Sequence, residues 1–274
     1  MPYDNDKRPH LQSMLMRESL LDKEVMKATE SPVIRMLGHV HVIKIGGGSL
    51  FDHGREAVYP LVKVLENLLD EHKLIIAVGG GVRSRHLFSI GLDLGLPTGV
   101  LAQLSEADAL GNAHMLGALL ASRGVVAVPP EMFGHLLPLF LRGSPGVIYS
   151  GVPPYSLWEH PPALGKIPPH RTDAGCFLLA ECFGTRSLTL VKDVDGVYSE
   201  DPHKNPDATF YPRLSVSRIK ELNLATLPFE RVLLDLLPTA RLARSFQVVN
   251  GLYPERVAAA VRGEHVGTIV HADE

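Results

Sequence analysis

VIKIGGGSL, residues 42–50, decides how the rest of the chain is read. Val42, Ile43 and Ile45 form a short apolar run with Lys44 in its middle, and three glycines follow at once. A lysine inside a buried strand needs an anion beside it, because an unpaired ammonium is costly to desolvate. Glycines carry no side chain, so their backbone can pass very close to that anion. The stretch reads as a strand tip that holds a negatively charged ligand.

A second tip has the same form. LIIAV (74–78) runs into Gly79-Gly80-Gly81 and then Val82-Arg83-Ser84-Arg85. Neither tip is a P-loop, because no Gly-Lys-Ser/Thr closes it, and neither has the dinucleotide spacing. Taken singly, each triplet is most simply a tight strand-to-helix turn. Two triplets together with a strand lysine point instead to a phosphate chain lying across both. Backbone amides would face its oxygens, with helix N-termini behind them. Lys44 would supply a point charge, and Arg83 or Arg85 a planar fork.

Outward from these tips, short apolar runs alternate with helical patterns. Strands are expected at 39–45, 74–78, 125–128, 147–150, 188–192, 246–250 and 267–270, and helices over 57–69, 101–122, 174–183, 230–244 and 254–262. Strands apolar throughout, with helices between them, imply a mainly parallel sheet covered on both faces. The expected fold is therefore α/β, three-layered and doubly wound, with its ligand crevice at the carboxyl ends of the strands. Residues 39–274 read as one domain, and residues 1–38 as an extension for subunit contacts. Leu11, Met14, Leu15, Leu21, Val25 and Met26 give that extension a partly amphipathic helix.

Composition excludes several classes. The chain is 45% hydrophobic and 21% charged with a formal net charge of −3, which argues for a globular protein and against a nucleic-acid partner. No apolar run approaches a membrane span, and the first twenty residues lack a secretory core. Cys176 and Cys182, six residues apart on one expected helix, would be separated by about 9 Å, too far for a disulfide. A reduced, cytoplasmic protein is expected.

One segment breaks the rhythm. Residues 151–175 hold six prolines, the only tryptophan and two histidines, His160 and His170. Long ordered loops of this kind are often functional. Their histidines, with His114 and His135 before the loop, are candidates for bonding a metal or, when protonated, an oxoanion. There is no HExxH and no CxxC, so a zinc site is not expected. Arg171 either pairs with Asp173 or holds an oxoanion.

The string LVKDVDGVYSEDPHKNPDATFYPRLS (190–215) is the most specific in the chain. With the Lys44 strand, the Gly79 triplet, Thr172-Asp173-Ala174 and GEHVGTIV (263–270), it resembles the amino acid kinase superfamily of uridylate, aspartate, glutamate and carbamate kinases, in the family's order. The resemblance implies the carbamate kinase-like fold, ATP with Mg²⁺, and a set of site residues. It assigns Lys44, Gly46, Gly47, Gly80, Gly81 and Arg85 to the phosphates, Lys192, Tyr198 and Asp201 to the nucleoside, and Asp173 to the centre of the site. Asp193 or Asp195 either reaches Mg²⁺ or, at Asp195-Gly196, makes a plain turn.

A narrower likeness is carried by residues 86–104, 151–158, 167–184, 232–241 and 247–269. There the chain resembles the family of molybdenum-storing cage subunits, and its beta type more than its alpha. That likeness implies molybdate or tungstate as cargo, packed as polyoxometalate clusters with the use of ATP, and homologous subunits in a homo- or hetero-hexamer. Gly46 and Gly48 stand where a uridylate kinase has serine and an acidic residue, which fits storage better than transfer to a pyrimidine nucleotide. Gly80 retains the kinase triplet where storage subunits tend to have alanine. Three functions follow as expectations: an ATP-using storage subunit, a nucleoside monophosphate kinase, or a nucleotide-sensing assembly subunit.

Overall fold

The computed structural model describes residues 33–163 and 165–273, so the helix expected over residues 11–26 lies outside it. Ten strands and eight α-helices follow in order from residue 40: β1 (Val40–Ile45), α1 (Arg55–Glu71), β2 (Lys73–Val78), α2 (Gly81–Asp93), α3 (Thr98–Leu119), β3 (Val126–Ala127), α4 (Phe133–Gly143), β4 (Gly146–Tyr149), α5 (Thr172–Phe183), β5 (Ser187–Lys192), β6 (Val197–Tyr198), β7 (Phe210–Tyr211), β8 (Arg213–Ser215), α6 (Val216–Leu222), α7 (Leu233–Leu236), β9 (Ser245–Asn250), α8 (Pro254–Val261) and β10 (Thr268–His271). Eight strands form one sheet in the order β3-β4-β2-β1-β5-β9-β10-β8, and β6 pairs with β7 apart from it. Every pairing in the large sheet is parallel except β9 with β10.

Period-2 alternation assigns each strand residue to a face. On β1, Val40 and Val42 join the core formed with α4 to α7, while Ile43 and Ile45 join the core formed with α1, α3 and α8. Lys44 therefore lies on the same face as Val40 and Val42, under α5. Its register partners are Ala77 on β2 and Leu190 on β5. The chain leaves β1 towards β2 on one side and later returns to β5 on the other. That reversal between β1 and β5 is the switch point at which open α/β sheets bind ligands.

The three layers are those expected, but three details are not. Pro138 inside α4 reads as a helix breaker, and no helix was expected there. The helix forms because Phe133, Leu137 and Leu141, four residues apart, place one stripe in the core. The helix expected over 230–244 contracts to α7 and a 3₁₀ turn at Leu237–Thr239, where Pro238 interrupts it. Strands β6, β7 and β8 have two or three residues each, too few to show periodicity in sequence.

Among the described residues no helix is long and apolar enough to cross a membrane. Both cysteines are free and on α5, Cys176 buried and Cys182 exposed.

At the opposite end of β1, buried His41 bonds Ser187 Oγ through Nδ1 at 2.8 Å and meets His72 edge-on at 4.8 Å. Burial, helped by the charges of His72 and Arg186, lowers its pKa to about 4. Because the folded value lies below the unfolded value of about 6.5, this site's contribution is complete above pH 6.5 and is lost as pH falls towards 4. Urea titration of His41→Gln is expected to show ~1–2 kcal/mol less loss of stability between pH 7 and pH 5 than the wild type.

Candidate functional site

The carboxyl ends of β1, β2 and β5 open into a cleft of about 510 Å³. Lys44, Gly46, Gly47, Gly48, Gly79, Gly80 and Gly81 line one wall. The two triplets touch: a Cβ on Gly47 would stand 2.3 Å from the amide nitrogen of Gly81, so only glycine fits there. Gly81 has φ +74°, and a side chain there would run into the carboxylate of Asp52. Bare backbone is thus required by the packing of one loop on the other, and it leaves amides facing the cleft.

Lys44 does not meet its anion in solvent. Its Nζ lies 2.7 Å from Asp173 Oδ1, with the two side chains 5% and 3% exposed. Lys192, at the end of β5, approaches the same carboxylate from the other side, at 3.1 Å from Oδ1 and 2.9 Å from Oδ2. The resemblance implies Lys192 on the nucleoside side; in the structure it lines the cleft with its ammonium on Asp173. Burial alone would raise the pKa of Asp173, but Lys192 and Lys44 hold it far below the usual carboxylate range. Burial opposes the charge of Lys44, yet Asp173 keeps its pKa raised. Lys192 is left with burial and the repulsion of Lys44, and despite Asp173 its pKa falls to about 8. Two ammonium groups around one carboxylate leave an excess positive charge at the glycine loops, where a polyphosphate would be drawn.

The arginines divide. Arg85 lines the cleft beside Gly48, while Arg83 bonds Asn112 Oδ1 and does not line it. Asn112 in turn donates to Gly79 O at 2.7 Å and steadies the second loop. Asp52 accepts the Val82 amide at 2.7 Å and so caps α2. Tyr198 and Asp201 line the far wall, and Tyr198 packs on Phe210 at 5.3 Å. Asp195 accepts from Asn250 at 2.9 Å and from Arg256 at 2.5 Å, which favours its turn reading over Mg²⁺. Asp193 remains at the cleft wall. Arg171 lines the cleft with its Nε 3.7 Å from Glu230 Oε1 and is not paired with Asp173.

Glu230 was not singled out in the sequence. It lines the cleft from the segment Thr226–Glu230 and lies buried at the start of α5. Burial, then the charge of Asp173, raises its pKa.

Of the four candidate histidines, two come together. His160 and His170 face each other in the proline-rich loop, ring centroids 6.2 Å apart. His114 is exposed on α3 outside that pair, and the side chain of His135 lies outside the described residues. Among the described residues no cluster of three or more His, Cys, Asp or Glu is arranged to hold a metal ion. Glu159 organises the pair: its buried carboxylate accepts the His160 and His170 amides at 3.1 Å each and His170 Nδ1 at 3.1 Å. His160 Nδ1 bonds the Pro161 carbonyl at 2.8 Å. A carbonyl or carboxylate only accepts, so both Nδ1 atoms carry hydrogen and both Nε2 atoms remain for a ligand.

Comparison with known proteins agrees with this architecture. Residues 159–241 match the model of the amino acid kinase family. The chain is 30% identical over 245 residues to uridylate kinase of Methanothermobacter thermautotrophicus, covering 84% of this chain and 97% of that one. The crystal structure of uridylate kinase from Archaeoglobus fulgidus superposes with a TM-score of 0.65 at 25% identity, over 84% of this chain and 99% of that one. Similarity to the molybdenum storage protein subunit beta of Azotobacter vinelandii is higher, 49% over 263 residues, which is 96% of this chain and 97% of the relative. The chain belongs to the molybdenum storage proteins within the amino acid kinase family.

Proposed function

We propose that the chain is a subunit of a cytoplasmic cage that stores molybdenum or tungsten, and that ATP bound in the cleft drives the loading of molybdate or tungstate as polyoxometalate clusters. The observation that carries this reading is the end-to-end similarity to a storage subunit, which spans both the cleft and the proline-rich loop. On this reading Lys44, Lys192, Arg85 and the two glycine loops bind the triphosphate, and Tyr198 and Asp201 bound the nucleoside. Asp173 fixes where both ammonium groups stand. Phosphoryl chemistry asks mainly for such positioned charge. Both oxygens of Asp173 face ammonium groups and Asp195 is held by Arg256 and Asn250, so of the two candidates Asp193 and Asp195 it is Asp193, at the cleft wall, that would assist Mg²⁺, which would neutralise phosphate charge. The donor set fits an ion held chiefly by the nucleotide.

The cargo would meet the Nε2 atoms of His160 and His170. A carbonyl behind His160 and a carboxylate behind His170 fix the two rings with Nε2 free to bond a metal centre or, as N–H, a cluster oxygen. The three or more ligands a closed cluster needs are not gathered within one chain among the described residues. The rest would come from homologous subunits of a homo- or hetero-hexamer enclosing the cavity.

The test is direct. Protein purified with molybdate and ATP is analysed for metal and for ADP formed. Many metal atoms per chain together with ADP support storage. ADP that forms only when UMP is added, with no metal retained, overturns it in favour of a nucleoside monophosphate kinase, the reading that the kinase-type Gly79-Gly80-Gly81 keeps open. The double variant His160→Ala, His170→Ala is expected to retain ATP binding and to lose at least half of the metal; full loading would remove the loop from the cargo site.

A further inference from the structure

A helix start beside a phosphate site is ordinarily where an anion is bound. At α5 that place is already filled by the chain itself. Glu230 Oε2 accepts the amides of Arg171 and Ala174 and Oε1 accepts that of Asp173, each at 3.1 Å. In return the Glu230 amide donates to Asp173 Oδ2 at 3.2 Å. The exchange is a reciprocal cap between residues 57 apart in sequence, joining the Thr226–Glu230 wall of the cleft to the first turn of α5. Glu230 is buried, its nearest cation Arg171 is 3.7 Å away, and Arg171 Nε has no hydrogen-bond partner.

We propose that Glu230 is a positioning residue, resting on the ATP-driven reading above: its carboxylate orients the first turn of α5, and its amide aims Asp173 between Lys44 and Lys192. The physical need is specific. Asp173 has to hold both ammonium groups at once, Oδ1 between Lys44 and Lys192 and Oδ2 on Lys192, and a carboxylate on a free rotor would swing to whichever lysine lay nearer. Glu230 removes that freedom twice, by fixing the backbone that carries Asp173 and by occupying a lone pair of Oδ2. It also bars the end of α5 to a phosphate, so the triphosphate is left to the glycine loops and the lysines.

Glu230→Gln keeps the shape but turns an NH₂ group towards amides that need an acceptor. Steady-state ATP hydrolysis in the presence of molybdate is expected to show kcat reduced ~10–100-fold with KM for ATP within about 3-fold. Leu179→Ala, in the core on the same helix, serves as the control for lost helix stability. It is expected to lower Tm at least as much while leaving kcat unchanged. A crystal structure of Glu230→Gln is expected to show Asp173 turned away from one lysine. Unchanged kcat, an equal loss of kcat in Leu179→Ala, or Asp173 still touching both lysines would each overturn the proposal. A wild type that hydrolyses no ATP would sink the ATP-driven reading instead, and the crystal structure of the variant would still decide the positioning.

Discussion

Replacing Lys44 by alanine is expected to weaken MgATP binding about a hundredfold, roughly 2.7 kcal/mol, by isothermal titration at pH 7.5. Lys44 projects from the central strand at the switch point of the sheet, it is 5% exposed, and the rim around it is bare glycine backbone. Few side chains stand near enough to substitute for it. Lys192 remains, but its proton is the less firmly held of the two and its ammonium lies across Asp173. The fold should tolerate the change, because Asp173 keeps Lys192 and the Glu230 amide as partners. Affinity within threefold of wild type would discard the phosphate assignment of the glycine loops.

Asp173→Asn is expected to act in the opposite sense on binding and stability. Removing the carboxylate leaves two ammonium groups in a buried site with no anion between them, and a broken buried pair costs about 3–5 kcal/mol. A large fall in Tm should therefore accompany the variant in the absence of ligand. A triphosphate would partly restore the balance, so ATP affinity is expected to hold or tighten and ATP to raise Tm by more than in the wild type. Turnover is expected to fall about 10²- to 10³-fold, because the lysines lose the group that sets their positions. The contrast is the check: Lys44→Ala loses binding first, Asp173→Asn loses stability and turnover first. Equal losses of binding in both would mean that the carboxylate itself helps hold ATP.

Much of this was legible in the chain because its signals are local. A lysine between isoleucines followed by glycines is a strand tip with a charge, and it needs no distant partner to be read. The face assignment of Lys44 follows from period-2 alternation alone. What the sequence could not show is what lies opposite. Glu230 sits in Leu227-Pro228-Phe229-Glu230, where nothing nearby marks it, and its role exists only because the segment folds back onto a helix start 57 residues earlier. The contact between Lys192 and Asp173, 19 residues apart, is out of reach of local signals for the same reason. Glu159 is hidden in the same way inside a loop whose prolines and histidines drew the attention. The short strands β6 to β8 and the proline-bearing α4 fail for a different reason: their form is decided by packing against the sheet, which overrides local preference.

His170 and Asp173 are three residues apart, the first held by Glu159 in the proline-rich loop and the second by two lysines at the nucleotide cleft. Arg171 and Thr172 are all that separate them, and both the Arg171 and Asp173 amides are pinned to Glu230. On the proposed reading, fuel and freight therefore share a single hinge pin. Any tilt of that pin as phosphates arrive or leave must reach the imidazole across one turn of chain, so the loading stroke would be a short lever and would need no relay through the rest of the molecule.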